Sequence, residues 1–204
     1  MALLQVEHIS KSFGEHRVLS DVGFALDAGQ AMAILGSNGA GKTTLLRIIN
    51  RILEPDSGQV LFDGHPLGQP DLDRIGYLPE ERGLYRRMRA GEQVCYLARL
   101  KGMSKSEAAL AAHDWFVRLG AEAWWKRPVV KLSKGMQQKV QFIAAVVHDP
   151  RLLILDEPFS GFDADNADML RREILRLKAS GTAILLSTHN LQAASDLCDN
   201  TLQL

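Results

Sequence analysis

A glycine-rich segment near the start of the chain carries its clearest chemical signal. Residues 36–43 read Gly-Ser-Asn-Gly-Ala-Gly-Lys-Thr, a complete phosphate-binding loop. Glycines let successive backbone N–H groups turn inward around a β-phosphate, and the following helix N-terminus adds positive potential. Lys42 is suited to bridge the β- and γ-phosphates, and the Thr43 hydroxyl is suited to bind Mg²⁺. The predicted nucleotide-binding residues of this segment are Gly36, Ser37, Asn38, Gly39, Ala40, Gly41, Lys42, Thr43 and Thr44.

A second signal is the pair Asp156 and Glu157, which follows the apolar run 152–155. These carboxylates should emerge at the C-terminal tip of a buried strand, where open α/β sheets bind their ligands. Asp156 is suited to hold Mg²⁺ through water, and Glu157 to polarise a water for in-line attack on a γ-phosphate. An acidic loop after a core strand is common by itself, so the intact phosphate loop is what favours the catalytic interpretation.

Two weaker signals are Ser133 and His189. Ser133 lies at a predicted helix N-terminus beside Gly135, which would make a phosphate site, although an ordinary serine N-cap is the simpler interpretation. His189 follows the apolar strand 183–186 and could donate to a γ-phosphate oxygen, or could be a loop histidine with a local partner.

The elements that must position these residues follow from hydrophobic periodicity. Alternating patterns over residues 4–8 and 18–26, with a turn over residues 12–14, predict half-buried antiparallel strands. Apolar runs at 31–35, 75–78, 152–155 and 183–186 predict buried strands, and 59–64 another short strand. From Glu80 to about His148 the pattern is helical; a capping box, Ser104 to Glu107, should begin a helix that Gly120 ends.

This order of elements predicts an α/β fold. We expect a P-loop NTPase core with a mixed, mainly parallel sheet, an N-terminal antiparallel β part and an inserted α-helical subdomain. The chain would be a single domain over 1–204, with a core of 1–79 and 149–204 and a helical subdomain of 80–148.

Composition limits the classes of partner. Of 204 residues, 46% are hydrophobic, and the 24 Lys and Arg balance the 24 Asp and Glu, so no positive surplus favours nucleic acid. Cys95 and Cys198 are expected to be buried free thiols. Without an apolar run of about 18 residues, we expect a soluble cytoplasmic chain that meets a membrane only through a partner. Residues 201–204 stop as though a strand had just begun, as in a truncated or excised domain.

Together these segments resemble the ATP-binding cassette of ABC transporters over essentially the whole chain. Residues 36–43 match its Walker A loop, 152–156 its Walker B strand and 160–163 its D-loop. The resemblance implies that Glu157 is the catalytic glutamate and His189 the switch histidine, acting with Lys42 on ATP. The resemblance further implies ATP contacts from Phe13 and Val18, a signature motif of Ser133, Lys134, Gly135 and Gln137, the D-loop residue Asp163, and Mg²⁺ ligands Thr43, Asp156 and Glu80.

Some residues depart from the family pattern. Glu80 stands where the family has its Q-loop glutamine, Lys134 replaces a signature glycine, and Met136 replaces a glutamine. The sequences of residues 133–139 and 79–85 resemble those of the ABC-2 branch, which includes sodium-export and drug-export ATPases.

The resemblance implies partners as well as cofactors. ATP and Mg²⁺ would bind between two cassettes, a homodimer or a paired ABC ATPase subunit, joined head to tail so that Ser133 and Gly135 of one contact the γ-phosphate of the other. A membrane permease would place the chain at the cytoplasmic face of the membrane. Part of the Glu80–Tyr96 region should face that permease, with the exposed candidates Arg82, Arg86, Arg87, Met88 and Arg89. Two alternatives are an ABC-type ATPase acting on nucleic acid or ribosomes, and a non-hydrolysing ATP sensor.

Overall fold

The computed structural model describes residues 2–81, 83–190, 192 and 195–204. Their strands are β1 (Leu4–Phe13), β2 (His16–Leu26), β3 (Ala31–Leu35), β4 (Ser57–Phe62), β5 (His65–Pro66), β6 (Ile75–Leu78), β7 (Leu152–Asp156), β8 (Ala183–Thr188) and β9 (Asn200–Gln203). Their α-helices are α1 (Lys42–Ile49), α2 (Ala90–Leu100), α3 (Lys105–Arg118), α4 (Lys134–Val146) and α5 (Ala164–Ala179).

The strands form two sheets, as the periodicity predicts. The half-buried strands form an antiparallel sheet in the order β2-β1-β4-β5. Its first hairpin is tighter than predicted, because β1 continues through Phe13 and β2 begins at His16, which leaves Gly14 and Glu15 as the turn. Gly14 has a φ of 59°, a conformation that glycine adopts without steric cost.

The buried apolar runs form a five-stranded sheet in the order β6-β7-β8-β3-β9, and every neighbouring pair is parallel. Parallel strands end at the same edge of a sheet, so the residues after β3, β7 and β8 meet there. The register places Asp156 beside Ser187. The predicted fold class, a mainly parallel core with an antiparallel part and a helical segment, is confirmed.

The helical segment begins later than predicted. Its first helix starts at Ala90, and residues 83–89 contain no helix, consistent with the turn-favouring Pro79 and Gly83 nearby. The predicted capping box is present: Ser104 Oγ accepts a hydrogen bond from Glu107 N (3.3 Å), and Ser104 N donates to Glu107 Oε2 (2.9 Å). Buried residues of α2, α3 and α4 join one apolar cluster with β3, β7 and β8, which holds these helices against the parallel sheet.

Two further sequence expectations concern thiols and membrane spans. Cys95 and Cys198 are free, but both are half-buried rather than buried, because each lies at the margin of the core cluster. In the part of the chain that the structure describes, no helix combines the length and the apolar character needed to cross a bilayer.

Candidate functional site

A cleft of about 720 Å³ lies at the carboxyl edge of the parallel sheet. It brings together most of the residues predicted to act on a nucleotide, which come from the phosphate loop, α1, β2, the end of β7 and the loop after β8. The lining residues are His16, Val18, Asn38, Gly39, Gly41, Lys42, Thr43, Thr44, Glu80, Asp156, Glu157, Ser160 and His189.

The phosphate loop connects β3 directly to α1 and depends on glycine for its path. Gly39 and Gly41 have φ values of 86° and 97°, in the left-handed region that favours glycine. A Cβ atom on Gly41 would lie 2.9 Å from both Leu19 Cδ2 and Val18 Cγ1, so no larger residue fits without a shift. A Cβ atom on Gly39 would meet nothing within 4 Å, which leaves the backbone at that point open to a ligand.

Lys42 is buried at the base of this cleft. Its Nζ donates hydrogen bonds to Gly36 O (2.8 Å) and Ser37 O (3.1 Å), and lies 3.9 Å from Glu157 Oε1. The loop therefore holds the ammonium group beside the candidate general base, at the start of α1.

Glu157 is held in an unusual backbone conformation. Its φ is 47°, which costs a residue other than glycine about 1–3 kcal/mol. Two hydrogen bonds fix it, since Glu157 N donates to Ser187 Oγ (3.1 Å) and to Ser187 O (3.2 Å). His189 Nδ1 lies 2.9 Å from Glu157 Oε1. The structure thus brings Lys42, Glu157 and His189 into one contact set.

Asp156 is fully buried, and only one of its oxygens is satisfied. Oδ1 accepts a hydrogen bond from Ser187 Oγ (2.5 Å), while Oδ2 has no partner among the described residues. A buried carboxylate oxygen without a partner is costly unless a cation or water satisfies it. Burial, followed by the negative charge of Asp156, raises the pKa of the nearby Tyr77 to about 12.

These groups fit Mg²⁺ held together with a nucleotide. Asp156, Thr43 and Glu80 line the same cleft and offer oxygen ligands. Within the described ranges, no group of three or more His, Cys, Asp or Glu side chains could hold a metal by itself. Mg²⁺ in nucleotide sites is usually bound through one or two carboxylates and the substrate phosphates, so the donor set agrees with that arrangement.

The signature residues lie elsewhere, in a second cleft of about 240 Å³ lined by Ser133, Gly135 and Met136 together with Gly161, Phe162 and Asp163. Ser133 Oγ accepts a hydrogen bond from Met136 N (3.3 Å), so Ser133 is the N-cap of α4. Ser133 and Lys42 therefore line different clefts of one chain.

Three other signature and D-loop predictions fall at or near this second cleft. Lys134 is the exposed first residue of α4. Gln137 Nε2 donates to Leu132 O (2.9 Å) within its own chain, which gives that side chain a local structural contact. Asp163 caps α5 by accepting from Asn166 N (2.9 Å).

Sequence reasoning missed two residues: His16, which lines the nucleotide cleft, and Ser187, which is buried and bonds to Asp156 Oδ1. Ser160, predicted as part of the D-loop segment 160–163, also lines the cleft. Ser187 had one available signal, because it is a polar residue in a buried apolar strand beside the Asp156 strand. Phe13, which was predicted to contact ATP, is 51% exposed and is not among the residues that line the cleft. Gly36, Ser37 and Ala40 also lie outside that set.

Comparison with known proteins decides the family. Residues 19–160 match the family model described as ABC transporter. The chain belongs to the ABC transporter family. The chain is 43% identical over 198 residues to the uncharacterized ABC transporter ATP-binding protein YhaQ of Bacillus subtilis (strain 168), covering 97% of this chain and 66% of YhaQ. It thus spans about two thirds of the length of that relative.

Two further comparisons agree with this membership. The lantibiotic transport ATP-binding protein SrtF of Streptococcus pyogenes is 32% identical over 197 residues, covering 97% of this chain and 84% of SrtF. A solved structure of the ATP-binding subunit of an ABC transporter superimposes with a TM-score of 0.91 at 34% identity, covering 99% of this chain and 85% of the other. The resemblance inferred from the motifs is therefore confirmed.

Proposed function

We propose that this chain binds and hydrolyses ATP as the nucleotide-binding subunit of an ABC transporter that exports its substrate through a separate membrane permease. The observation that carries this proposal is the contact set of Lys42, Glu157 and His189 at the phosphate loop. Family membership supports ATP hydrolysis in general terms. Relatives such as SrtF, named for lantibiotic transport, support a transport role, and the resemblance to the ABC-2 branch supports export.

The cleft geometry supports hydrolysis by in-line attack of water. The loop amides and Lys42 would hold the β- and γ-phosphates. Glu157 would accept the proton of the attacking water. His189 would hold the Glu157 carboxylate through Nδ1–H or, in the other tautomer, donate Nε2–H to a γ-phosphate oxygen, because a neutral imidazole carries one ring proton. Mg²⁺, when held by Thr43, Asp156 and Glu80, would supply charge neutralisation at the phosphates.

A second copy of the chain would complete the site. Ser133 and Lys42 line separate clefts, so one chain alone does not surround a triphosphate with both groups. In a head-to-tail pair, the exposed Ser133 and Lys134 of one copy would face the γ-phosphate on the other. A cation at a helix N-terminus opposes the helix dipole, so Lys134 is better explained by an anion that approaches from outside.

The permease would dock near residues 83–101. Tyr85 and Tyr96 are exposed and form an edge-to-face pair with ring centroids 6.1 Å apart. They lie close in sequence to Leu84, Leu97 and Leu100, which line an apolar groove of about 290 Å³ together with Pro79 and Ala144.

The polar groups around this groove define the chemistry of the occupant. Gln141 Oε1 and His148 Nδ1 belong to lining residues, are buried, and have no partner among the described residues. Arg86, Arg87 and Arg89 are exposed and follow the lining residue Leu84 in sequence. Met88 is half-buried, contrary to its predicted exposure, because residues 86–89 pair with residues 128–130. Arg82 lies outside the described residues. We therefore expect a permease segment with an apolar face, acidic residues and hydrogen-bond donors.

Steady-state release of phosphate from ATP and Mg²⁺ by the purified protein tests the proposed activity. Activity that disappears in Lys42→Ala would support it. Binding of ATP without any release of phosphate, by the protein alone and with its permease, would instead favour the ATP sensor.

A further inference from the structure

The loop that follows β6 lies between the nucleotide cleft and the apolar groove. Glu80 lines the nucleotide cleft, whereas Pro79, the residue before it, lines the groove. Glu80 is exposed, so burial does not hold its side chain. The direction of its carboxylate therefore depends on how the backbone on either side of it is held.

One side chain holds the backbone on both sides of Glu80. Gln141 Nε2 donates hydrogen bonds to Pro79 O (2.9 Å) and to Glu81 O (3.4 Å). Carbonyl oxygens only accept hydrogen bonds, so Nε2, with its two hydrogens, is the amide atom that faces them. Glutamine thus supplies one donor to the residue before Glu80 and one to the residue after it.

Gln141 is itself carried by a closely packed part of the structure. It lies on α4, and its side chain is buried, with 4% exposed. α4 packs directly on β6, since a Cβ atom on Gly76 would lie 2.1 Å from Ala145 O. Ala145 is about one helical turn after Gln141, so this close contact fixes the place from which Gln141 reaches residues 79 and 81.

The other end of the Gln141 amide is unfavourably placed. Oε1 is buried and has no hydrogen-bond partner in the part of the chain that the structure describes. A buried acceptor without a partner costs free energy, and an apolar side chain of similar size would avoid that cost. The two bonds from Nε2 are therefore the contacts that favour glutamine at this position.

We propose that Gln141 is a positioning residue for Glu80, and that its bonds to Pro79 and Glu81 hold the Glu80 carboxylate where a divalent cation meets the nucleotide phosphates. The inference rests on the proposed function, in which Glu80 is a Mg²⁺ ligand. Partners that orient a metal ligand typically contribute roughly 10- to 100-fold to metal affinity. Gln141 would therefore act on metal binding, and not on the affinity of the cleft for a metal-free nucleotide.

The test separates metal binding from nucleotide binding. A non-hydrolysable ATP analogue, adenylyl imidodiphosphate, is titrated calorimetrically in Mg²⁺ and in EDTA, and the ratio of the two affinities measures what the metal contributes. The variants are Gln141→Met, Glu80→Ala and the double variant. Gln93→Met is the matched control, because Gln93 is a fully buried glutamine of α2 whose amide has no partner among the described residues.

We expect Gln141→Met to lower this ratio by about tenfold and to leave the affinity in EDTA unchanged. Glu80→Ala should lower the ratio at least as far, and the double variant should match Glu80→Ala, because Gln141 acts through Glu80. Gln93→Met should keep the wild-type ratio. A wild-type ratio in Gln141→Met, or a double variant with a lower ratio than Glu80→Ala, would overturn the inference. A wild-type protein that does not bind the analogue, or binds it equally well in Mg²⁺ and in EDTA, would refute the proposed function on which the inference rests.

Gln141→Asn gives an independent readout. It keeps a buried amide, but the side chain is one methylene shorter, so its nitrogen would move away from both carbonyls. It should therefore lower the ratio as Gln141→Met does. A purely structural role would instead lower the midpoint of thermal unfolding and weaken binding of the analogue in Mg²⁺ and in EDTA alike, and that result would remove Gln141 from the site.

Discussion

Ser187→Ala is expected to weaken both the fold and the response to Mg²⁺. Ser187 is fully buried, and its hydroxyl donates to Asp156 Oδ1 at 2.5 Å. Losing a hydrogen bond to a charged group costs about 1.5–3 kcal/mol. Asp156 Oδ2 already lacks a partner among the described residues, so the variant would leave a buried carboxylate with neither oxygen satisfied. Glu157 N would keep its second acceptor, Ser187 O, at 3.2 Å. The free energy of unfolding of Ser187→Ala should therefore be lower than that of the wild-type protein by about 2–3 kcal/mol.

The same hydroxyl orients the carboxylate that is proposed to hold Mg²⁺. Removing a partner that orients a metal ligand typically lowers metal affinity or activity by roughly 10- to 100-fold. We expect the Mg²⁺ concentration for half-maximal ATP hydrolysis to rise by at least about tenfold in Ser187→Ala.

Urea unfolding and a Mg²⁺ titration of ATP hydrolysis measure these two effects separately. Ser180→Ala is the matched control, because Ser180 Oγ donates to Leu177 O (2.8 Å) at the end of α5, away from the cleft. Ser180→Ala should lower the free energy of unfolding by about 1 kcal/mol and leave the Mg²⁺ requirement unchanged. A Ser187→Ala protein with wild-type stability, or with a wild-type Mg²⁺ requirement, would refute the assigned role of the Asp156–Ser187 contact.

Three further substitutions test other parts of the structure. Glu157→Gln should retain ATP binding and release phosphate about 10²- to 10⁴-fold more slowly, and unchanged turnover would exclude Glu157 as the general base. Burial lowers the pKa of His148 to about 4, so the unfolded chain takes up a proton first as pH falls below about 6.5. The free energy of unfolding should then fall by up to about 3 kcal/mol between pH values of about 6.5 and 4. In urea unfolding, His148→Gln should reduce this dependence on pH. A variant with the wild-type pH dependence would contradict the role assigned to His148. Gly41→Ala should abolish ATP binding, measured by titration, because its Cβ would lie 2.9 Å from Leu19 and Val18. Gly102→Ala is its control, with a φ of 89° but no atom within 4 Å, so it should cost only about 1 kcal/mol.

Local signals predicted much of the fold and of the cleft. The capping box at Ser104 and the apolar run before Asp156 depend on neighbouring residues, and both form as expected. The phosphate loop follows from its own glycines, because the φ values of Gly39 and Gly41 are a local requirement.

The rest depends on contacts between distant residues. Ser187 acts on Asp156 only because β7 and β8 are adjacent and in a particular register, which no local pattern specifies. His16 begins β2 and lines the cleft, whereas the glycine-based prediction, with a turn over residues 12–14, did not begin the second strand until residue 18. In residues 83–89, the local turn-favouring residues Pro79 and Gly83 act together with a distant contact, because residues 86–89 pair with residues 128–130, about 40 residues further along the chain.

We propose that Ser133 of one copy completes the nucleotide site that contains Lys42 of another. Light scattering of Glu157→Gln with ATP and Mg²⁺ tests it most directly, because slow hydrolysis should preserve the closed pair. We predict a particle with twice the mass of one chain, and a return to the monomer mass in Glu157→Gln/Ser133→Glu, in which a carboxylate would face the γ-phosphate. A Glu157→Gln protein that binds ATP but stays monomeric, or a dimer that persists with Glu at position 133, would contradict the account.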